Sequence, residues 1–398
     1  MATASRLESK ALHWPLTRLD VAGAFGDIGV LFPIAIALIT LNHMNPTAVF
    51  LAAGLTYILA GRYFQIPIAV QPFKAVAAIA LALALPPSSI ASAGLLMGLL
   101  LAFVAVTNLA KWLARLFTLP IVRGIQLGLG LLLAREGLRL MLGPQSGLVL
   151  TWGWSFAAWE IALGGAVVLL VFQGSGRYPA ALVLLVAGVM LGFFAHSGRL
   201  PALGWGPAPL ELLRPQVIEL RRVLTLLVIP QFALTFGNSI VATENTAQIL
   251  YGAQARRVTV RGLSMSVGLV NILSGSIMSA PLCHGSGGVT AHYRFGARTP
   301  KSSYVIGGIC ILLALFGRAA VGLLKLIPTG VLGVFLVYVG IQHAAYVRDI
   351  VRRAPLLFIA VCVGVVSLAT TNLMWGFLAG FVLQAVWFLL EKARAKRV

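Results

Sequence analysis

Apolar runs, many of them close to twenty residues long and joined by short basic connections, follow one another from Val21 to Leu390. A helix rises about 1.5 Å per residue, so about 20 such residues cross the roughly 30 Å hydrocarbon core of a bilayer. Fourteen segments can be delimited, at 20–41, 46–61, 67–85, 89–110, 118–138, 156–174, 179–196, 223–246, 259–277, 281–296, 302–317, 326–342, 355–371 and 373–390. Composition closes off the soluble alternatives: only 10% of the 398 residues are charged and 59% are hydrophobic, where a soluble domain carries roughly 25% charged residues. Three cysteines staple nothing, and Cys283, Cys310 and Cys362 lack metal-ligand spacing. The expectation is an all-α polytopic membrane protein with no metal, no cofactor and no nucleotide-binding loop.

The net charge of +20 would point a soluble chain toward nucleic acid. Here the basic residues sit between apolar runs, so they are read as topology signals and no nucleic-acid partner is expected. Of the 30 Lys and Arg, 21 fall on the side of the N-terminus and the even-numbered connections, 8 on the other side, and Lys74 alone in mid-segment. Positive-inside bias then puts both termini in the cytoplasm, in the inner (plasma) membrane. The first run lacks an Ala-x-Ala cleavage pattern and is read as a retained span. Arg294 and Arg298 read as a cytoplasmic turn, with contact to acidic lipid as the alternative.

The third and tenth segments are short and interrupted by polar residues, glycine or proline. They also belong to a repeat. Gly26-Asp27-Ile28 matches Gly237-Asn238-Ser239 at an offset of 211, Pro72 matches Pro281 at 209, and Pro120 matches Pro328 at 208. Two halves of seven spans, an odd number, must enter the membrane in opposite senses, which predicts 14 transmembrane segments as a 7+7 inverted repeat. Irregular backbone survives at membrane depth only where it is buried or lines a polar cavity. Half-helices starting there would aim free N–H groups at one point, an anion site made from backbone. Gly285 to Gly288 would let backbone approach a ligand, or merely allow packing or a turn.

The segments Gly23-Ala24-Phe25-Gly26-Asp27-Ile28-Gly29, Gln71-Pro72-Phe73-Lys74-Ala75, Phe236-Gly237-Asn238-Ser239 and Pro281-Leu282-Cys283-His284-Gly285-Ser286-Gly287-Gly288, continued by Tyr293-Arg294-Phe295-Gly296-Ala297-Arg298, resemble the MOT1-type molybdate transporters, relatives of the sulfate permeases. The resemblance covers about residues 18–390. It implies high-affinity uptake of an oxyanion, molybdate or the relatives' sulfate, on the fold of sulfate and uracil permeases; a homodimer is the candidate assembly. That fold would divide the chain into a core of 20–110 and 223–317 and a gate of 111–200 and 318–390. Residues 1–19 and 391–398 would be cytoplasmic and 201–222 an extracytoplasmic loop, with no STAS domain.

Candidate residues follow from what a tetrahedral anion needs. It offers acceptors only, so amide, hydroxyl and ammonium donors suit it. Gln71, Asn238, Ser239, Ser286 and Thr290, with the Gly285 backbone, are the neutral candidates; helix-to-helix hydrogen bonding is their other reading. Lys74 is a mid-membrane ammonium that contacts substrate, pairs with Asp27 or Glu244, or snorkels. His284 donates, relays a proton, or is a satisfied core histidine. Asp27 and Glu244 are intramembrane acids and hence candidates for proton coupling, though Asp27 could instead cap a helix break. Transport of a dianion into a negative interior costs about 2.3 kcal/mol per charge per 100 mV, which makes proton symport the expected drive. A sulfate or other anion transporter is the alternative on the same frame; an anion channel or membrane-embedded enzyme is the alternative of another class.

Overall fold

The computed structural model describes residues 16–107, 109, 118–143, 148–149, 153–172, 175, 180–195, 204–214 and 217–395. Arg6, Lys10, Lys111, Arg115, Arg177, Arg199, Lys396 and Arg397, used above for orientation, lie outside the described residues.

Helix α1 (Arg18–Ala24) passes through a 3-10 turn at Phe25–Asp27 into α2 (Ile28–Leu41), and α3 (Pro46–Phe64) follows. A two-residue strand, β1 (Gln71–Pro72), leads into α4 (Lys74–Ala82), then α5 (Pro87–Thr107) and α6 (Leu119–Leu142). The hairpin β2 (Leu148–Val149) and β3 (Ser155–Phe156) precedes α7 (Ala158–Phe172) and α8 (Ala180–Ala195). In the next rod, α9 (Val217–Val223), α10 (Ile229–Leu234) and α11 (Ala242–Tyr251) are joined by π-helical stretches at Leu224–Val228 and Thr235–Val241. The chain continues through α12 (Val260–Ser276), β4 (Leu282–Cys283), α13 (Ser286–Arg294), α14 (Lys301–Leu315), α15 (Gly317–Leu324), α16 (Thr329–Ala344), α17 (Ala354–Thr370) and α18 (Leu373–Ala395).

Local chemistry sets several of these starts. Thr17 and Asp20 form a reciprocal capping box on α1, Asn45 accepts from the Ala48 amide ahead of Pro46 on α3, and Thr259 caps α12. Among the described residues six helices are long and apolar enough to cross a bilayer: Arg18–Leu41, Pro46–Phe64, Pro87–Thr107, Glu219–Arg257, Thr329–Ile350 and Leu373–Leu390. Lys301–Leu315 and Gly317–Leu324 qualify as a pair bent by 85°, while Ala158–Phe172, Ala180–Ala195 and Ala354–Thr370 are apolar but shorter. The bend at Gly317, which makes α15 a separate helix, was not anticipated. Helix α18 turns Phe381, Val382, Val386 and Phe388 outward, a face suited to lipid tails rather than water.

Packing follows the sequence matches. Helix α12 packs on α5, and α14 on α3; α16 crosses α6. At that crossing a Cβ on Gly130 would meet the Gly340 carbonyl at 2.5 Å, and one on Gly340 the Gly130 carbonyl at 2.6 Å, a backbone-to-backbone approach only small residues permit. Helix ends recur as well. Left-handed residues terminate helices at His43 (φ 57°) and Gly252 (φ 54°), 209 apart, and at Gln65 (φ 60°) and Met278 (φ 56°), 213 apart. A third pair, Ala84 (φ 48°) and Gly296 (φ 97°), is 212 apart. The last pair even shares its bonds: Leu85 N–H donates to Ala80 and Ala84 N–H to Leu81, as Ala297 does to His292 and Gly296 to Tyr293. The Gly26-Asp27 and Gly237-Asn238 motifs both fall where the rod departs from α geometry, one in the 3-10 turn and one in a π stretch. Such departures free backbone and re-aim side chains inside a spanning helix.

Candidate functional site

The two interrupted segments meet. Strands β1 and β4 pair antiparallel, Gln71 opposite Cys283 and Pro72 opposite Leu282, and the Phe73 amide donates to Pro281 O at 2.8 Å. Two residues of ladder cannot satisfy this much extended backbone away from water, so buried side chains do the rest. Asn271 accepts from the Leu282 amide at 2.8 Å and donates to the Leu282 carbonyl at 2.6 Å. Ser303 accepts from Ile68 N–H at 3.1 Å. Thr243 donates to the His284 carbonyl at 2.8 Å. Tyr57 Oη lies 3.2 Å from the Val70 carbonyl, and the Val70 amide donates to Asp27 Oδ2 at 3.2 Å.

A chain of charges crosses the ladder. Lys74 Nζ, at the start of α4 and 5% exposed, donates to Gln71 Oε1 at 2.6 Å. Gln71 Nε2 in turn donates to Asp27 Oδ1, and Tyr57 Oη donates to Asp27 Oδ2 at 2.9 Å. A lysine can only donate and a carboxylate only accept, which fixes the orientation of the Gln71 amide. Lys74 and Asp27 are therefore joined through an amide, and no carboxylate lies within ion-pair distance of Nζ among the described residues.

Helix α13 begins beside this chain. No side chain caps it. Gly288 and Val289 amides return to Gly285 O, while those of Ser286 and Gly287 find no acceptor among the described residues. Gly288 has no room for a side chain: a Cβ there would stand 2.5 Å from Asp27 Oδ1 and 2.7 Å from Gln71 Nε2. A Cβ on Gly285 would run into Gln71 Oε1, with Lys74 Nζ 3.4 Å away. These two glycines let α13 close on the charge chain, and Gly287 fronts a space from whose far side Tyr346 Oη reaches to 2.9 Å from where a Gly287 Cβ would stand.

That space is a cavity of about 450 Å³, lined on one wall by Gly26, Asp27, Gln71, Lys74, Asn238, Gly287, Gly288, Thr290 and Arg294 and on the other by Phe172, Ser175, Ala181, Tyr338, Gln342, His343 and Tyr346. Asn238 Oδ1 accepts from Ser286 Oγ at 3.2 Å, and Thr290 Oγ1 donates to Ser286 O at 3.1 Å. Of the candidates, Asp27, Gln71, Lys74, Asn238 and Thr290 thus reach the cavity.

Others do not, and for stated reasons. His284 is fully buried: Nδ1–H donates to Ala69 O at 2.8 Å, and Nε2 accepts from Ser266 Oγ at 2.9 Å. One nitrogen is taken up by the carbonyl ahead of β1 and the other by a hydroxyl on α12. Ser239 is buried against Cys283. The Ser286 hydroxyl is spent on Asn238. Glu244 lies a turn beyond the π stretch and accepts from the Val260 amide at 3.2 Å, capping α12. The expectation of two open half-helices also needs correction. Gln231 Oε1 accepts from the Ala75 and Val76 amides at 2.9 and 3.2 Å, taking up two of the first three amides of α4. Reasoning from sequence missed Gln231, Tyr57 and Tyr346. Gln231 and Tyr57 are polar groups inside apolar runs, which is a signal; Tyr346 carries none.

A model of one protein family, described as "Molybdate transporter of MFS superfamily", matches residues 20–133 and 224–342. The chain belongs to this family. The two matched stretches carry all of the charge chain, β1, β4 and α13. Among curated members, "Molybdate transporter 1" of Chlamydomonas reinhardtii is 30% identical, the match covering 92% of this chain and 91% of that protein. "Molybdate transporter 2" of Arabidopsis thaliana is 29% identical over 94% of this chain and 87% of its own length. The fold is that of two solved anion transporters. The transmembrane domain of a cyanobacterium bicarbonate transporter, BicA, matches with TM-score 0.68 and 18% identity, covering 91% of this chain and 97% of that one. Murine Slc26a9 in its inward-facing state matches with TM-score 0.66 and 15% identity, covering 96% of this chain and 70% of that one. The chain is a multi-pass membrane transporter of inorganic oxyanions, not an enzyme.

Proposed function

We propose that this transporter imports molybdate, bound between the amino end of α13 and the ammonium of Lys74, by proton symport. The observation that carries the reading is Lys74: a buried cation on the cavity wall, without a carboxylate partner among the described residues, beside two amides that find no acceptor among them. An unpaired charge at membrane depth is costly unless an anion or water answers it. A dianion accepting from Nζ and from the Ser286 and Gly287 amides would answer both deficits, through charge-assisted bonds.

On this reading the chain holds 14 membrane segments in a 7+7 inverted repeat, supported by the paired helix ends and by the exchange of α5–α12 for α3–α14 packing. The cavity lies between the core segments that carry Asp27, Lys74 and Gly287 and the gate segments that carry Ser175, Tyr338 and Tyr346. Its rim at Ser175, Arg294 and Tyr346 belongs to the basic, cytoplasmic connections, so this is an inward-open state with both termini in the cytoplasm of a plasma-membrane protein. Asp27 is the coupling acid, since it lines the cavity and Glu244 caps a helix away from it. The test is uptake into proteoliposomes with molybdate, tungstate and sulfate in competition, under imposed voltage with and without a proton gradient. Saturable molybdate uptake that rises with the proton gradient is expected. Preference for sulfate would move the chain to the alternative substrate, and uptake indifferent to the proton gradient at fixed voltage would remove the symport step.

A further inference from the structure

We propose that Tyr346 is a direct ligand of the transported anion, offered from the cavity wall opposite α13, and that Arg123 is the residue that positions it. This rests on the oxyanion reading above. Tyr346 lies in the 3-10 turn Ala345–Ile350 that follows α16, and it lines the cavity together with Gly287. Its hydroxyl is aimed at the open end of α13: a Cβ on Gly287 would stand 2.9 Å from Oη. Among the described residues Oη has no hydrogen-bond partner. A phenol O–H is a donor, and an acceptor-only dianion resting on the Ser286 and Gly287 amides would lie within its reach.

The ring is held from behind. The Arg123 guanidinium lies over its face, 5.5 Å from the centroid, and the His343 ring meets it edge-on at 6.0 Å. Arg123 is itself held through all three of its guanidinium nitrogens. Nε lies 3.1 and 2.9 Å from the two Asp349 oxygens and Nη2 2.5 Å from Oδ2, while Nη1 donates to Gln126 Oε1 at 3.0 Å. Its charge is answered by Asp349 and its fork is occupied, so it acts as a brace and not as a second anion ligand. The brace ties α6 to the turn after α16, so an anion touching Tyr346 and α13 together joins the two walls of the cavity at the point where Oη already approaches Gly287. Ligand contacts made only when those walls are close bias the protein toward closure on this side.

The test is molybdate binding to the purified full-length protein by calorimetry, alongside proteoliposome uptake. Tyr346→Phe keeps the ring and its stacking but removes the O–H, so a merely structural tyrosine would tolerate it. Binding is expected to weaken about ten-fold or more, as for a hydrogen bond to a charged group. Arg123→Lys keeps the charge and loses the fork; it should weaken binding less, and the double variant should be no worse than Tyr346→Phe alone. Asp349→Asn serves where Arg123→Lys does not fold. Wild-type binding in Tyr346→Phe overturns the contact, and additive losses in the double variant overturn the role of Arg123. A wild-type protein that binds none of molybdate, tungstate and sulfate overturns instead the reading beneath both.

Discussion

Helices α4 and α13 start side by side on one ladder, each after a proline-containing extended segment, but their amino ends are treated differently. At α4 the Gln231 side chain has entered the place an anion would take, accepting from Ala75 and Val76. At α13 no side chain among the described residues has entered, and the Asn238 amide, the counterpart of the Asp27 carboxylate by the 211 offset, accepts from the Ser286 hydroxyl. The first half supplies formal charge, as the Lys74–Gln71–Asp27 chain. The second supplies geometry, as amides and glycines. On the proposed reading a duplicated backbone offers two helix ends, and closing one of them leaves a site for one ligand with the cation from the closed half set against the open end of the other. An anion held by two equivalent ends and no mobile charge would have no group through which to feel a proton.

The severest challenge to this division is Lys74→Met, which keeps the stem and removes the ammonium. Uptake should fall by at least about 100-fold, at the upper range for a charge-assisted contact, while the protein still purifies as a folded transporter. Near-normal uptake would mean that α13 alone holds the ligand. Next comes Asp27→Asn. Asp27 accepts from three donors, Gln71 Nε2, Tyr57 Oη and Val70 N–H, and an amide cannot accept on both ends. Proton-driven accumulation should be lost, while exchange of internal for external molybdate persists at about a tenth of the wild-type rate. Counterflow measured beside gradient-driven uptake separates the two.

How much of this was legible beforehand depends on which kind of information each feature needed. Pro72, Pro281 and the Gly26-Asp27 and Gly237-Asn238 pair announce themselves, because proline and buried polar residues break the rule that a spanning helix satisfies its own backbone. The spacing of about 210 between them is what the expectation of a repeat rests on. What fills each broken hydrogen bond was not legible. Gln231 lies 156 and 155 residues from the amides it serves, and nothing local distinguishes it from any other intramembrane glutamine. His284 sits inside the most recognisable motif, yet its ring is spent on Ala69 and Ser266; a motif marks where the backbone is irregular, not which side chains face the ligand. Gly317 resembles every other glycine until the chain turns there by 85°.

Gln231→Leu sharpens the comparison from the closed side. It strips the acceptor from two buried amides and leaves Thr235 without its 2.8 Å donor, which should cost about 1–3 kcal/mol of stability, read as a lowered thermal midpoint. Molybdate affinity should stay within about three-fold of wild type, since the α4 amides are not offered to the ligand. A loss as large as that of Lys74→Met would show that both helix ends bind.

The smallest effect is expected at Glu244. Both intramembrane acids looked suited to proton coupling, and the structure separates them by what they touch. Asp27 shares its oxygens with the ladder and lines the cavity; Glu244 Oε1 accepts one bond from the Val260 amide at 3.2 Å, at the start of α12. An amide oxygen accepts from that N–H as a carboxylate does, and only the favourable charge at a helix amino end is forfeited, about 0.3–1 kcal/mol. Glu244→Gln should therefore keep the rate, the affinity and the response to an imposed proton gradient, with at most a small fall in melting temperature. If instead it uncouples uptake from protons while Asp27→Asn does not, the titrating group sits at the end of the α9–α11 rod. The π stretch at Thr235–Val241, which carries Asn238 and ends just before Glu244, would then be the part that links it to the anion.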